Sequence, residues 1–236
     1  MLVAKAQRIL AIAVAIATIV LVPDALAAQG GRGQDTGAVP TIEDKTVGMQ
    51  LLDGLFPLFY DTGSGQLWME IADLGTEVLH VTGLGAGLGS NDLGLDRGAL
   101  RGSRIVFFER RGARVLMVQP NYRFRANSDN PSEVKAVADA FARSVLWAFP
   151  VGAQTGDRVL VDLTPWLIRD TNLAQRMQPG TYRLDAGRSS VYMPMTKAFP
   201  ENSELEAELT FVAQAGGGGG RGGGGFLEGV SSVASS

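Results

Sequence analysis

Apolar and polar positions alternate with a period of two along much of the chain between residues 55 and 213. This period is typical of β-strands that bury one face. The clearest stretch is 204–213, where leucine, alanine and phenylalanine alternate with glutamate and threonine. The pattern predicts a sheet with one face in a core and the other in water.

Three pairs of such segments flank short runs of turn-forming residues, which predicts hairpins. The pairs are 55–60 with 66–72, 104–109 with 114–118, and 147–153 with 158–163. Residues 78–84 predict a further strand. We find no internal repeat and no alternation of strands with helices, so antiparallel pairing is expected.

One segment has the signals of a helix. Asn130 is a suitable N-cap, Pro131 fits the first turn, and Glu133 complements the helix dipole. Apolar residues then recur at helical spacing: Val134, Val137, Ala138, Phe141 and Val145. A shorter helix is expected around 165–176. The predicted fold class is α+β, mainly an antiparallel β-sheet with one or two helices.

The two ends differ from this body. Lys5 and Arg8 precede an apolar run of about 14 residues, shorter than the roughly 20 of a membrane-spanning helix, and small residues follow it. We therefore expect a signal peptide at 1–27, export to the periplasm or medium, and no stable membrane insertion. A disordered segment at 28–46, a β-rich domain at 47–213 and a glycine-rich linker with a short tail at 214–236 complete the expected organisation. A linker that leads to so short a tail suggests a fragment of a longer polypeptide.

Composition restricts the chemistry. The chain has one histidine, His80, and no cysteine. Catalytic zinc needs about three protein ligands, usually imidazoles with a carboxylate, so we expect no metal site and no cofactor in this chain. The net charge of −3 becomes about −4 once residues 1–27 are removed, which gives no basis for nucleic-acid binding. His80 is expected to be a structural or surface residue.

A D-T-G-S motif begins at Asp61, after an apolar strand, and resembles the catalytic motif of pepsin-like aspartic proteases. That mechanism needs two aspartates that share a proton. The only other D-T-G begins at Asp35, in the expected disordered segment. A dimeric aspartic peptidase that uses Asp61 remains one alternative, and a simple tight turn is the other.

The glycine-rich segment 83–89 lacks the spacing of a phosphate-binding loop and favours a close backbone bend. The loop after it contains Asn91, Asp92 and Asp96, whose oxygens could ligate calcium, although they do not match an EF-hand. Turn capping and a salt bridge to Arg97 are the alternative.

Five ordered blocks, at 54–59, 87–98, 118–126, 144–150 and 182–200, resemble one family. Among them are G-L-G-S-N-D-L-G-L-D-R-G from Gly87 and V-Q-P-N-Y-R-F-R-A from Val118. The family comprises large secreted or periplasmic bacterial zinc-dependent metalloproteases, which carry an uncharacterised β-rich domain ahead of a metzincin-type catalytic module.

The resemblance implies that the H-E-x-x-H helix and its zinc belong to a module downstream of this domain, and neither is in this chain. We therefore expect a non-catalytic accessory domain that docks on the metallopeptidase module, in cis or in trans. An independent exported binding or scaffold protein is the alternative. The candidate interface residues are Asn91, Asp92, Asp96, Arg97, Arg123 and Arg125, although these arginines could equally tie the domain's own loops together.

Overall fold

The computed structural model describes residues 39–87, 94–177 and 180–214, together with the backbone of 231–235. All of them belong to one compact unit, Ala38–Ser236. The expected signal peptide, residues 28–38, Asn91 and Asp92 lie outside the described residues.

The unit is mainly antiparallel β-sheet. Its strands are β1 Gln50–Leu52, β2 Leu58–Asp61, β3 Gln66–Ile71, β4 Val78–Gly83, β5 Leu100–Arg111, β6 Arg114–Gln119, β7 Ser144–Thr155, β8 Arg158–Asp162, β9 Tyr182–Leu184, β10 Ser190–Val191, β11 Lys197–Ala198, β12 Ser203–Glu208, β13 Phe211–Ala213 and β14 Ser231–Ser235. The first eight form one sheet in the order β1-β2-β3-β8-β7-β6-β5-β4, which curls into a half-barrel.

A second sheet has the order β10-β12-β11, and β14 pairs with β12 as well. Strands β9 and β13 form a separate antiparallel pair. The segment expected as a short tail thus contributes one strand of the smaller sheet.

Helices are few: α1 Ile42–Lys45, α2 Pro131–Ala140 and α3 Thr164–Leu167. The described part of the chain contains no helix that is long and apolar enough to cross a membrane. The fold is therefore β-rich with few helices.

The three expected hairpins are confirmed as the antiparallel pairs β2–β3, β5–β6 and β7–β8. Strand β4 is confirmed as well, and it pairs with β5. Glycines with positive φ close the turns, for example Gly65 at 75° and Gly112 at 59°. Residues other than glycine rarely adopt this backbone conformation. The glycines therefore fix the position of each turn, and the turn sets the register of its two strands.

The prediction of one continuous strand over 204–213 was wrong, because this stretch is divided between two strands. The alternating residues Leu205, Ala207, Leu209 and Phe211 are buried as expected. However, β12 ends at Glu208, and β13 begins at Phe211 in another sheet, where the chain pairs with β9. A single alternating pattern can thus supply core residues to two sheets.

The main core lies between the half-barrel and the smaller sheet. Leu58, Phe108 and Phe149 from the half-barrel share one cluster with Leu205 and Ala207 from β12. Trp166 and Leu167 of α3 are buried in the same cluster. The second layer therefore removes part of one face of the half-barrel from water.

The expected disorder of 28–46 was wrong for residues 39–46. Thr41 caps α1 through a bond from the Asp44 amide, and Ile42 is buried. Ile42 joins Trp68 and Leu160 in a second apolar cluster. A short amphipathic segment can order itself in this way only because the strands offer an apolar surface, which local composition does not reveal.

The helix signals at Asn130 and Pro131 were correct, since the Asn130 side chain accepts the Ser132 amide and α2 follows. The expected continuation of the helical spacing to Phe141 and Val145 was wrong. None of the residues of α2 is buried, the helix ends before Phe141, and Val145 belongs to β7. An apolar stripe with helical spacing therefore lies on the surface.

Candidate functional site

The segment between β6 and α2 and the residue that follows α2 form an exposed patch of aromatic and basic side chains, which we call the aromatic–arginine face. It consists of Tyr122, Arg123, Phe124, Arg125 and Phe141. Phe124 and Phe141 stack with ring centroids 4.0 Å apart and planes 8° apart. All three aromatic residues are exposed, at 38–43% of their full surface. A rigid aromatic platform thus faces solvent.

The two arginines of this face lie against its rings. The Arg125 guanidinium is 4.4 Å from the Tyr122 ring centroid, and its Nε donates to the Tyr122 carbonyl at 3.1 Å. Arg123 lies 5.8 Å from the Phe124 ring. Neither forms an ion pair with any described carboxylate. Their positive charges are held in place and not neutralised.

The other candidate interface residues are separate from this face or undescribed. Asp96 and Arg97 are exposed in the loop before β5, and the Asp96 carbonyl accepts the Ala99 amide. A Cβ on Gly87 would lie 2.9 Å from the Arg97 amide nitrogen, which confirms a close backbone bend in the glycine-rich segment. The calcium hypothesis depends on Asn91 and Asp92, so it stays a prediction.

Asp61 has the environment of a turn residue. Its carboxylate accepts the amides of Gly63 and Ser64 and the Ser64 hydroxyl, the last at 2.7 Å. These bonds, the Ser64 hydroxyl first, lower the pKa of Asp61. The turn interpretation therefore accounts for its polar contacts, while Asp35 lies outside the described residues.

Sequence reasoning missed a second site, a cavity of about 390 Å³ beside β4 and β5. Four arginines line it, and we call it the arginine pocket: Arg101, Arg104, Arg169 and Arg176, with His80 and Asn172 in its wall. Asp170 is the one carboxylate among the lining residues, and its Oδ1 already accepts the Leu173 and Ala174 amides.

Two β-bulges shape the arginine pocket. Thr82 pairs with Gly102 and Gly83 with Leu100, which leaves Arg101 as the extra residue of β5. An extra residue interrupts the alternation of faces, so Arg101 lines the same cavity as Arg104. A second bulge in β7 brings Leu146 to the wall.

The pocket is electrostatically strained. The Nε and Nη2 atoms of Arg101 are buried without a hydrogen-bond partner among the described residues. Burial, and then the charge of Arg176, lower the pKa of Arg101. Burial and then Arg104 lower the pKa of Arg169. The guanidinium groups therefore lie close enough for their positive charges to repel one another.

His80 is buried, at 6% of its full surface, and its ring centroid is 5.4 Å from that of Trp166. Burial, followed by the charges of Arg104 and Arg169, lowers its pKa to about 4. Its Nε2 has no partner among the described residues. The one imidazole of the chain is thus a neutral group in the wall of a cationic pocket.

The signals for this site in the sequence were weak. The arginines are scattered over β5 and the segment after α3, with no common spacing. The nearest signal was Gly102 within a strand, since a glycine there often marks a bulge.

Comparisons with known proteins found one match, to a family model. No curated protein and no solved structure matches the chain. In the described part of the chain, no group of three His, Cys, Asp or Glu side chains could hold a metal ion. One family model, described as "Domain of unknown function (DUF5117)", matches residues 98–229. Since this match covers more than half of the sequence, the chain belongs to that family of uncharacterised domains.

Proposed function

We propose that this chain is a non-catalytic binding domain, the front accessory part of a secreted zinc-dependent metallopeptidase. In this proposal the aromatic–arginine face docks on the catalytic module, and that module alone carries the zinc. The observation that carries the proposal is the stacked pair of Phe124 and Phe141, which is exposed beside two arginines without ion pairs.

The chemistry of the face is that of a protein interface. Aromatic residues and arginine are enriched at interface centres, where they contribute most of the binding energy. Stacking fixes the rings before a partner arrives, which lowers the conformational entropy that binding costs. The face contributes two positive charges and no carboxylate, so it fits a partner surface with exposed acidic and apolar side chains.

The family resemblance supports the identity of the partner. Four residues of the face lie in the block 118–126, one of the five blocks that resemble the front domain of these metalloproteases. The leader-like pattern of residues 1–27 agrees with an exported partner. The docking partner is therefore proposed to be the metallopeptidase module, in cis or in trans.

The test needs the module itself. The DNA beyond the Ser236 codon and the adjacent genes are searched for an H-E-x-x-H motif with a further histidine, and the encoded module is purified. Calorimetry then measures its affinity for this chain. We expect Phe124→Glu to weaken binding at least about 30-fold, which corresponds to about 2 kcal/mol at an interface hot spot.

Leu51→Glu is the matched control, because Leu51 is also an exposed apolar residue but lies on β1. We expect this variant to bind within about twofold of the unchanged chain, as a residue outside the interface should. Equal losses in both variants, or no measurable binding by the unchanged chain, would contradict the proposed docking face.

A further inference from the structure

The arginine pocket has more positive charge than the fold needs. Four guanidinium groups line it against the single carboxylate of Asp170. None of the four arginines forms an ion pair with a described carboxylate. Like charges at short range destabilise a fold, and the cost is offset when an anion binds between them.

Arg101 provides the second observation. Two of its guanidinium nitrogens are buried and have no acceptor in the described structure. A buried donor without a partner costs about 1–3 kcal/mol, more when it is charged, so native structures rarely leave one unsatisfied. An acceptor in the adjoining cavity would satisfy these donors.

Other residues that line the pocket are held in fixed positions, which favours binding of one ligand geometry. The Arg169 guanidinium is 5.2 Å from the Trp147 ring and 5.4 Å from the Trp166 ring, and its Nε donates to the Trp166 carbonyl. These contacts fix the plane of the guanidinium and leave its other nitrogens available. Asn172, in the wall, has a φ of 67°, a conformation that is uncommon outside glycine.

We infer that the arginine pocket binds a small polyanion through its carboxylate or phosphate groups. The planar fork of arginine matches both groups, because each presents two oxygens at the spacing of two N–H donors. A cavity of about 390 Å³ accommodates a small di- or tricarboxylate or a phosphate ester. The site is separate from the five residues of the aromatic–arginine face and requires no partner domain.

The single histidine makes the test direct. In the tag-free chain the imidazole of His80 gives one histidine signal by NMR, and that residue lies in the pocket wall. The chain is titrated with inorganic phosphate, succinate and citrate, and with sodium chloride at matched ionic strength. We expect a saturable shift of the His80 signal with at least one polyanion, with a Kd below about 1 mM.

The three anions separate the two chemistries. Saturation by phosphate alone identifies a phosphate ligand, and saturation by succinate or citrate alone identifies a carboxylate ligand. An unsaturated response that is the same for all the salts, chloride included, would overturn the inference.

Arg101→Met tests the role of the buried guanidinium, because methionine keeps an unbranched stem and removes the charge. We expect affinity for the polyanion to fall at least tenfold, since the two buried donor nitrogens of Arg101 are lost with the rest of its guanidinium. Arg114→Met is the control, because Arg114 is exposed at the start of β6 and does not line the pocket. Unchanged affinity in Arg101→Met would overturn the inference.

Thermal unfolding gives an independent readout. Without polyanion, Arg101→Met should unfold at a higher temperature than the unchanged chain, because it removes unsatisfied donors and charge repulsion. At one fixed, high concentration of polyanion, the unchanged chain should gain more thermal stability than the variant, because the variant binds more weakly. A variant that is less stable than the unchanged chain without polyanion would indicate a structural arginine and contradict the assignment.

Discussion

Protonation of His80 should make the fold less stable in acid by a predictable amount. Burial and the charges of Arg104 and Arg169 lower its pKa from 6.5 to about 4. The unfolded chain takes up this proton near pH 6.5, whereas the folded chain takes it up only near pH 4. Folding therefore loses stability as the pH falls through this window.

The size of the effect follows from the pKa values. Each pH unit between the unfolded and folded pKa corresponds to 1.36 kcal/mol, so the window from 6.5 to about 4 gives about 3 kcal/mol. His80 is a base whose pKa is lower in the folded chain than in the unfolded chain, so the folded state favours the neutral imidazole. The full stability is present above pH 6.5 and is lost progressively below it.

Urea unfolding at pH 7 and at pH 4 measures this effect when the unchanged chain is compared with His80→Gln. Glutamine does not titrate, so the variant should lose about 3 kcal/mol less between the two pH values. Other groups titrate in both proteins and cancel in the difference. Buffers must contain no carboxylate or phosphate, because a polyanion in the arginine pocket would raise the pKa of His80. Equal losses in the two proteins would refute the reasoning.

Two further predictions concern stability. Arg158→Met should lower the urea unfolding midpoint measurably, because the buried Glu70 carboxylate loses its 2.7 Å partner. Lys135→Met is the control: it breaks an exposed pair within α2 and should change stability by less than about 0.5 kcal/mol. Equal losses of stability in Arg158→Met and Lys135→Met would contradict the role given to the pair with Glu70. Gly152→Ala should cost about 1–3 kcal/mol, because a Cβ there would overlap the Trp68 ring, and an unchanged unfolding midpoint would show that the ring can move freely.

The sequence was most informative where local chemistry decides the structure. Turn formers around Gly65 and Gly112 require backbone angles that few residues adopt, so the hairpins could be predicted. Asn130 and Pro131 marked the start of α2 for the same kind of reason.

Tertiary contacts decided what could not be predicted. The order of α1 depends on an apolar surface near Trp68, which forms only when distant strands pair. The exposed position of α2 could not be inferred, because an apolar stripe has the same spacing on a surface as in a core. The arginine pocket requires a one-residue bulge at Arg101, and strand alternation alone places that side chain on the other face.

Hydrogen exchange tests the docking proposal most directly. Backbone exchange of this chain is measured alone and with the metallopeptidase module, and 122–125 and α2 are compared with β1. The proposal predicts slower exchange at 122–125 and α2 in the complex and unchanged exchange at β1. Unchanged exchange at 122–125 and α2 while the module is bound elsewhere, or protection confined to β1, would contradict it.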